Sequence, residues 1–194
     1  MKKELGSFVI GDSTRCTGCK ACEVACFAVH QKNQTNQKNQ TAGSRSGRTV
    51  GTITAPVAPR LFLTRFEQGC MPVQCKHCED APCLNVCTKN ALIRIDHQIV
   101  VDPEKCIGCK DCMQACHFGA VALLPEASDS KTPVLKTVAV KCDLCQGRAE
   151  GPACVQVCPH QALRLVNPEA EQEDKRVKAA NALFLTRGKG GQDS

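Results

Sequence analysis

Seventeen of the 194 residues are cysteine, and they fall into four groups and a singlet. The first group is Cys16-x2-Cys19-x2-Cys22-x3-Cys26. The second is Cys75-x2-Cys78-x4-Cys83-x3-Cys87 and the third is Cys106-x2-Cys109-x2-Cys112-x3-Cys116. The fourth is Cys142-x2-Cys145-x8-Cys154-x3-Cys158, and Cys70 stands alone. Groups one and three have the spacing that holds [4Fe-4S] clusters. Two-residue spacers let a tight loop wrap three thiolates around three irons of one cubane. The fourth Cys, three residues on, is expected to begin a helix and to point toward a second cluster. Groups two and four keep this skeleton with longer insertions between their second and third Cys. The chemistry on offer is one-electron transfer through four [4Fe-4S] clusters, with sixteen cysteines as ligands.

Structural zinc is the competing chemistry. Zinc ribbons pair two C-x2-C units across about a dozen residues or more, often with His. Here each group holds four cysteines within 11 to 17 residues, and no His sits at finger spacing. A disulfide framework is a weaker reading, because the cysteine count is odd. The N-terminus, Met1 to Ser7, carries neither an apolar secretory core nor a twin arginine. A cytoplasmic location is therefore expected, where clustered cysteines bind metal rather than pair with one another.

Internal repeats place these loops between strands. Asp12 precedes Cys16 by the same interval as Asp102 precedes Cys106. Phe8-Val9-Ile10 and Ile99-Val100-Val101 read as short strands entering the two loops. The exits repeat as Cys87-x3-Ala91-Leu92, Cys116-x3-Ala120-Val121 and Cys158-x3-Ala162-Leu163, each leading into a further strand. The unit is strand, cluster loop, one helical turn, strand. Group one lacks the exit and runs from Phe27-Ala28-Val29-His30 into a polar stretch.

Spacing also suggests the pairing. Only 18 residues, Thr88 to Lys105, separate groups two and three. That is room for one returning strand, a turn and one entering strand. Groups one and four then pair across the chain. The expected fold is α+β, with two bacterial-ferredoxin-like modules, one inserted in the other. Residues 7–30 with 140–166 form the first module and residues 70–125 the second. Residues 31–69 are a polar insertion, and 167–194 a C-terminal helix and tail. With fourth cysteines exchanged, Cys75, Cys78, Cys83 and Cys116 hold one cluster, and Cys106, Cys109, Cys112 and Cys87 a second. Cys16, Cys19, Cys22 and Cys158 hold a third, and Cys142, Cys145, Cys154 and Cys26 the fourth. Self-contained groups of four are the alternative.

Cys75-Lys-His-Cys-Glu-Asp-Ala-Pro-Cys83-Leu-Asn-Val-Cys87, Lys141-Cys-Asp-Leu-Cys145 and Glu150-Gly-Pro-Ala-Cys154-Val-Gln-Val-Cys158-Pro159 resemble the four-cluster ferredoxin-type subunits. That family includes the small subunits of formate hydrogenlyase and formate dehydrogenases and the B subunit of dimethyl sulfoxide reductase. The resemblance covers about residues 7–30 and 70–166. It implies the inserted two-module fold, the exchanged pairing, and a relay of electrons that links a catalytic subunit to another redox partner. The chain departs from the family where Pro usually follows a cluster's last Cys. Thr88, His117 and Phe27 stand there, and only Pro159 fits.

Other residues have lesser expected roles. Cys70 reads as a bystander thiol near the second loop. His77 and His117 adjoin ligands and read as neighbours of the clusters or surface residues. His160 and the remaining histidines read as solvated. Pro82 and Pro152 are expected to stiffen loops. From Val24 to Phe66 there is no Asp or Glu. The polar segment from Gln31 to about Pro59 reads as a surface loop, or as an arm for an acidic partner. Leu61-Phe62-Leu63 and Phe66 resume as a strand. Asn167 and Pro168 suit the start of a C-terminal helix with an apolar stripe of Val177, Ala180, Leu183 and Phe184, ended by Gly188. Packing back on its own module and docking to another subunit or copy both suit that stripe.

Composition narrows the function. No apolar run approaches the roughly 18 residues of a membrane span. The formal charge is +6. Sixteen ligating thiolates around four cores of about +2 would lower it to near −2. With neither Tyr nor Trp for base stacking, a nucleic-acid partner is not expected. All sixteen grouped thiolates are committed as ligands, so a non-catalytic subunit is expected. The first candidate partner is a molybdenum or tungsten pterin formate dehydrogenase, or a hydrogenase. A tungsten or molybdenum aldehyde oxidoreductase is a variant. A free polyferredoxin or maturation factor and a zinc-binding interaction module are the remaining alternatives. Further copies of the chain, or related ferredoxin subunits, are possible partners as well.

Overall fold

The computed structural model describes residues 6–36, 58–128 and 134–187. In chain order the elements are β1 (Phe8–Gly11), α1 (Ala21–Asn36), β2 (Leu61–Phe66), β3 (Gly69–Gln74) and α2 (Pro82–Asn85). There follow β4 (Leu92–Ile95), β5 (Gln98–Val101), α3 (Asp111–Ala115), β6 (Val121–Ser128), β7 (Val134–Lys141), α4 (Ala153–Val157), β8 (Leu163–Val166) and α5 (Pro168–Arg187). The strands form two-stranded antiparallel sheets, β1 with β8, β2 with β3, β4 with β5 and β6 with β7. The fold is therefore mixed α+β, as ferredoxin-like domains are.

A two-stranded ribbon is marginal in water by itself. These ribbons lean on two cores. One gathers Val9, Leu61, Leu144 and Leu163 with Cys22, Cys26, Cys75, Cys142 and Cys154. The other gathers Leu92, Ile99, Val121 and Val138 with Cys83, Cys106 and Cys112. Thiols and alanines do most of the filling, and no Phe is fully buried among the described residues. Such a core is thin in carbon for its size.

The Asp repeat has a structural reason. Thr14 N–H and Oγ1–H both donate to Asp12 Oδ1, at 2.9 and 2.6 Å. Glu104 N–H donates to Asp102 Oδ1 at 3.0 Å. Each carboxylate thus closes the turn that carries the chain from strand to cluster loop. The Asp12 and Asp102 amides donate to the carbonyls of Ala162 and Ala91, both at 2.7 Å, which ties the entry of each loop to the exit of its sheet partner.

Several details differ from the sequence expectation. The helical turn lies before the fourth Cys rather than after it. Cys83, Cys112 and Cys154 sit inside α2, α3 and α4, and Cys116 and Cys158 are the extended residues that end α3 and α4. Pro82 is the first residue of α2 and Pro152 the N-cap of α4, so both start helices rather than stiffen loops. Helix α1 carries both Cys22 and Cys26 and runs on to Asn36, past the point where the composition turns polar. Most of the polar segment, residues 37–57, lies outside the described residues.

Helix α5 starts where its cap dictates. Glu169 and Ala170 amides donate to Asn167 Oδ1 at 3.0 and 3.4 Å. Val177 and Phe184 of its stripe are 50% and 79% exposed. Gly188 lies outside the described residues. Among the described residues, no helix is long and apolar enough to cross a membrane.

Candidate functional site

All four cysteine groups share one backbone feature. The residue before the second Cys is left-handed in each: Gly18 at φ 74°, His77 at 49°, Gly108 at 70° and Leu144 at 56°. Glycine adopts this region freely. His77 and Leu144 are held there by burial, at 2% and 8% exposure. A Cβ at Gly108 would stand 2.6 Å from the Thr137 carbonyl oxygen. Gly108→Ala is therefore expected to destabilise the holo-protein by about 2 kcal/mol or more. A thermal melt with iron content read in parallel checks this.

The structure gathers the thiols into sets. Cys87, Cys106, Cys109 and Cys112 line one apolar hollow. Cys75, Cys78, Cys83 and Cys116 line a second. Cys16, Cys19, Cys22 and Cys158 line a third. Cys154 lies within electrostatic reach of Cys142, Cys145 and Cys26. In every set, three members come from one sequence group and the fourth from another. Neighbouring sets approach one another in a row. Cys154 also senses Cys22, Cys142 senses Cys75, and Cys112 senses Cys83.

A single zinc ion does not fit these sets. Tetrahedral zinc at about 2.3 Å from each sulfur holds its thiolates roughly 3.8 Å apart. Among the described residues, no three cysteine sulfurs lie within 4.8 Å of one another. The spacing suits a ligand that offers a separate metal corner to each thiolate.

The sulfurs are also equipped as anions. The amides of Ala91, Ala120 and Ala162 donate to Cys87, Cys116 and Cys158 Sγ at 3.3, 3.4 and 3.2 Å. Those of His77 and Leu144 donate to Cys75 and Cys142, both at 3.4 Å. Ala139 serves Cys106 at 3.3 Å from strand β7, and Arg60 serves Cys26 at 3.2 Å. Group one has no alanine exit, and a residue 34 positions away supplies the missing donor. Without metal, burial pushes the thiols of Cys22 and Cys112 up to about 11 and that of Cys142 up to about 12. Only a metal makes thiolates of them at neutral pH, and it displaces their protons as it binds. The residues fit [4Fe-4S] clusters.

His30, expected from the sequence to be solvated, is buried instead. It is 7% exposed. Its Nδ1 lies 2.7 Å from the Cys26 carbonyl oxygen and its Nε2 3.0 Å from Asp143 Oδ1. Both partners only accept, so the ring donates from both nitrogens and is an imidazolium. Arg60 Nη1 donates to the other carboxylate oxygen of Asp143. His30, Asp143 and Cys145 bring their ligand atoms within 4.8 Å, but a doubly protonated ring has no lone pair for a metal. Placement four residues after Cys26 on one helix was the available signal. Burial pushes the His30 pKa down, but its hydrogen bonds to Asp143 and Cys26 outweigh this and raise it to about 9. Burial likewise pushes Asp143 up, and His30 with Arg60 outweighs that and holds it down to about 2.

The pair's contribution is thus complete between about pH 4 and 6.5. It is lost as pH rises through 9 and as pH falls through 2. The basic-side loss is about 3 kcal/mol. Melting temperatures of the holo-protein are expected to decline from pH 6.5 to 9, and His30→Gln to flatten that decline.

The remaining candidates are placed as follows. His77 is buried, and the Ile99 amide donates to its Nδ1 at 3.0 Å, fastening the second loop to β5. Burial, then the charge of Lys141, lowers its pKa to about 3. His117 and His160 are exposed. Cys70 is buried, and its Sγ packs against the first loop, where a Cβ on Gly18 would meet it at 2.9 Å.

Residues 66–168 match the family described as a 4Fe-4S dicluster domain. The chain is 40% identical over 134 residues to a probable iron-sulfur subunit of the Frd operon of Proteus vulgaris, covering 66% of this chain and 85% of that protein. It is 37% identical over 163 residues to hydrogenase-4 component A of Escherichia coli K12, covering 70% and 79%. It is 36% identical over 146 residues to formate hydrogenlyase subunit 2 of the same strain, covering 62% and 72%.

Proposed function

Since the chain belongs to the 4Fe-4S dicluster domain family and is a ferredoxin-type electron-transfer subunit, we propose that it relays electrons through four [4Fe-4S] clusters, linking a catalytic subunit to another redox partner. The observation that carries this reading is the row of thiol sets, with each set close to the next. The ligands are Cys16, Cys19, Cys22 and Cys158; Cys142, Cys145, Cys154 and Cys26; Cys75, Cys78, Cys83 and Cys116; and Cys106, Cys109, Cys112 and Cys87. Each cluster supplies a one-electron couple. The chain's own part is to hold the thiolates, aim amide donors at their sulfurs and keep water from the inner sets.

Pairing of β1 with β8 around the intervening elements supports a two-module arrangement. Residues 7–30 with 140–166 make one module, and 70–125 make the module inserted in it. Segments 31–69 and 167–194 are additions to that frame. The sixteen thiols have no catalytic task in this scheme, so the chain is a non-catalytic subunit working in the cytoplasm. The names of two relatives, a hydrogenase component and a formate hydrogenlyase subunit, favour a hydrogenase or a molybdenum or tungsten formate dehydrogenase as the catalytic partner. An aldehyde oxidoreductase of the same metals is the variant, and a free polyferredoxin the alternative.

The test is anaerobic purification of the tagged chain from its native host, with mass spectrometry of what accompanies it. A stoichiometric pterin dehydrogenase or hydrogenase is expected. The chain emerging alone would overturn the subunit reading in favour of a mobile carrier.

The stripe of α5 bears on the same assembly. Removing residues 167–194 is expected to release a partner while visible cluster absorbance stays at the full-length level. Loss of that absorbance would mean that α5 supports the fold instead.

A further inference from the structure

Lys141 is the last residue of β7 and directly precedes Cys142. It is 3% exposed. Its Nζ donates to the carbonyl of Ile99 and, at 3.0 Å, to that of Cys142. Both acceptors are neutral, and no carboxylate of the described residues pairs with it. The corresponding residues before Cys16 and Cys106 are also basic, but Arg15 is exposed and bonded to Gln161, and Lys105 is 58% exposed and paired with Asp102. Burying an ammonium without a counter-charge is costly. Lys141 tolerates its position only if negative charge stands nearby in another form.

That charge is at hand on both sides. Cys142 follows Lys141 in the chain, and Cys83 lies within its electrostatic reach. These two thiols belong to adjacent sets. A second lysine occupies the same junction from another element. Lys76 is half-buried in the second cluster loop, with Nζ donating to the Val9 carbonyl at 2.8 Å and lying 5.7 Å above the Phe8 ring. It is within electrostatic reach of Cys142 on one side and of Cys75 and Cys78 on the other. Cys142 and Cys75 are the thiols through which the two inner sets approach each other. Two tethered cations therefore flank this meeting point.

Resting on the four-cluster reading above, we propose that Lys141, seconded by Lys76, is the positioning residue for the electron step between the Cys75 set and the Cys142 set. A fixed positive charge favours the more reduced, more negative state of both inner clusters, and the weakly polar interior strengthens the effect. One electron leaves one inner cluster as the other takes it, and no proton or third reactant is involved.

The test is a potentiometric titration of the anaerobic holo-protein, followed by electron paramagnetic resonance, with iron counted per chain. Lys141→Met is expected to shift the reduction equilibria of two clusters at least about tenfold toward the oxidised form, about 59 mV for a one-electron couple. The other two clusters stay unmoved. Lys141→Arg restores the wild-type values, and Lys76→Met moves the same two clusters in the same direction by less. Unmoved potentials in Lys141→Met and Lys76→Met at full iron content would overturn the proposal. Should Lys141→Met lose iron, Lys76→Met alone decides. Wild-type iron well below about sixteen per chain would instead overturn the four-cluster reading, and this inference with it.

Discussion

Serine in place of Cys106 is expected to leave the holo-protein with about three quarters of its iron and to stop electron passage between its two partners. Cys106 is 7% exposed, and its sulfur takes the Ala139 amide at 3.3 Å. A serine oxygen is smaller, harder and far less acidic, so it cannot replace the thiolate there. Partners that only surround a metal site typically cost about 10–100-fold when removed, and a ligand sets at least that loss. The hollow geometry adds a sharper contrast. Cys116→Ser should damage the cluster of Cys75, Cys78 and Cys83, while Cys87→Ser should damage that of Cys106, Cys109 and Cys112. Iron and sulfide analysis with paramagnetic resonance of each variant separates the signals. Damage confined to the variant's own sequence group would contradict the exchanged pairing. Unchanged partner-to-partner transfer in Cys106→Ser would contradict the relay.

Stripping the iron anaerobically with a chelator is expected to remove the fold along with the cofactor. Among the described residues, 25 that count as hydrophobic are buried, and of these ten are cysteine and six alanine. Carbon packing alone leaves this chain well short of an ordinary core. Structural metal sites of comparable dependence supply on the order of 10 kcal/mol each. The metal-free chain should therefore show no cooperative thermal transition. Far-ultraviolet circular dichroism and amide hydrogen exchange are the suitable probes, because there is no Tyr or Trp to report by fluorescence. A cooperative transition in iron-free protein near that of the holo-protein would overturn this expectation.

What was legible in the sequence was whatever repeats locally. The Asp12 and Asp102 turns, the alanine exits at 91, 120 and 162, the strands around them and the Asn167 cap each involve residues within a few positions of one another. Local chemistry dictates them, and spacing reveals them. The features that stayed hidden depend on distant partners. Arg60 bonds the sulfur of Cys26 across the polar segment, and His30 finds its acid at Asp143. A lone histidine or lysine carries no periodicity to betray it. The reach of α1 to Asn36 was missed because the polarity of Gln31 to Asn36 looks like a loop, although Gln and Lys favour helix nearly as well as Leu. The position of the helical turn was misjudged because C-x3-C fixes an interval and not which end of it is helical.

The alanine exits carry one consequence for assembly. In each, the amide that bonds the cluster sulfur belongs to the residue just before a strand, and the next side chain (Leu92, Val121 or Leu163) is buried beneath it. Sliding such a strand by one residue would turn that side chain outward and withdraw the sulfur's donor in the same movement. A mispaired ribbon would therefore bind its cofactor less well than a correctly paired one. Metal loading thus acts as a gauge of strand register, rewarding chains that have aligned and leaving misaligned ones unsealed for the cell's proteases.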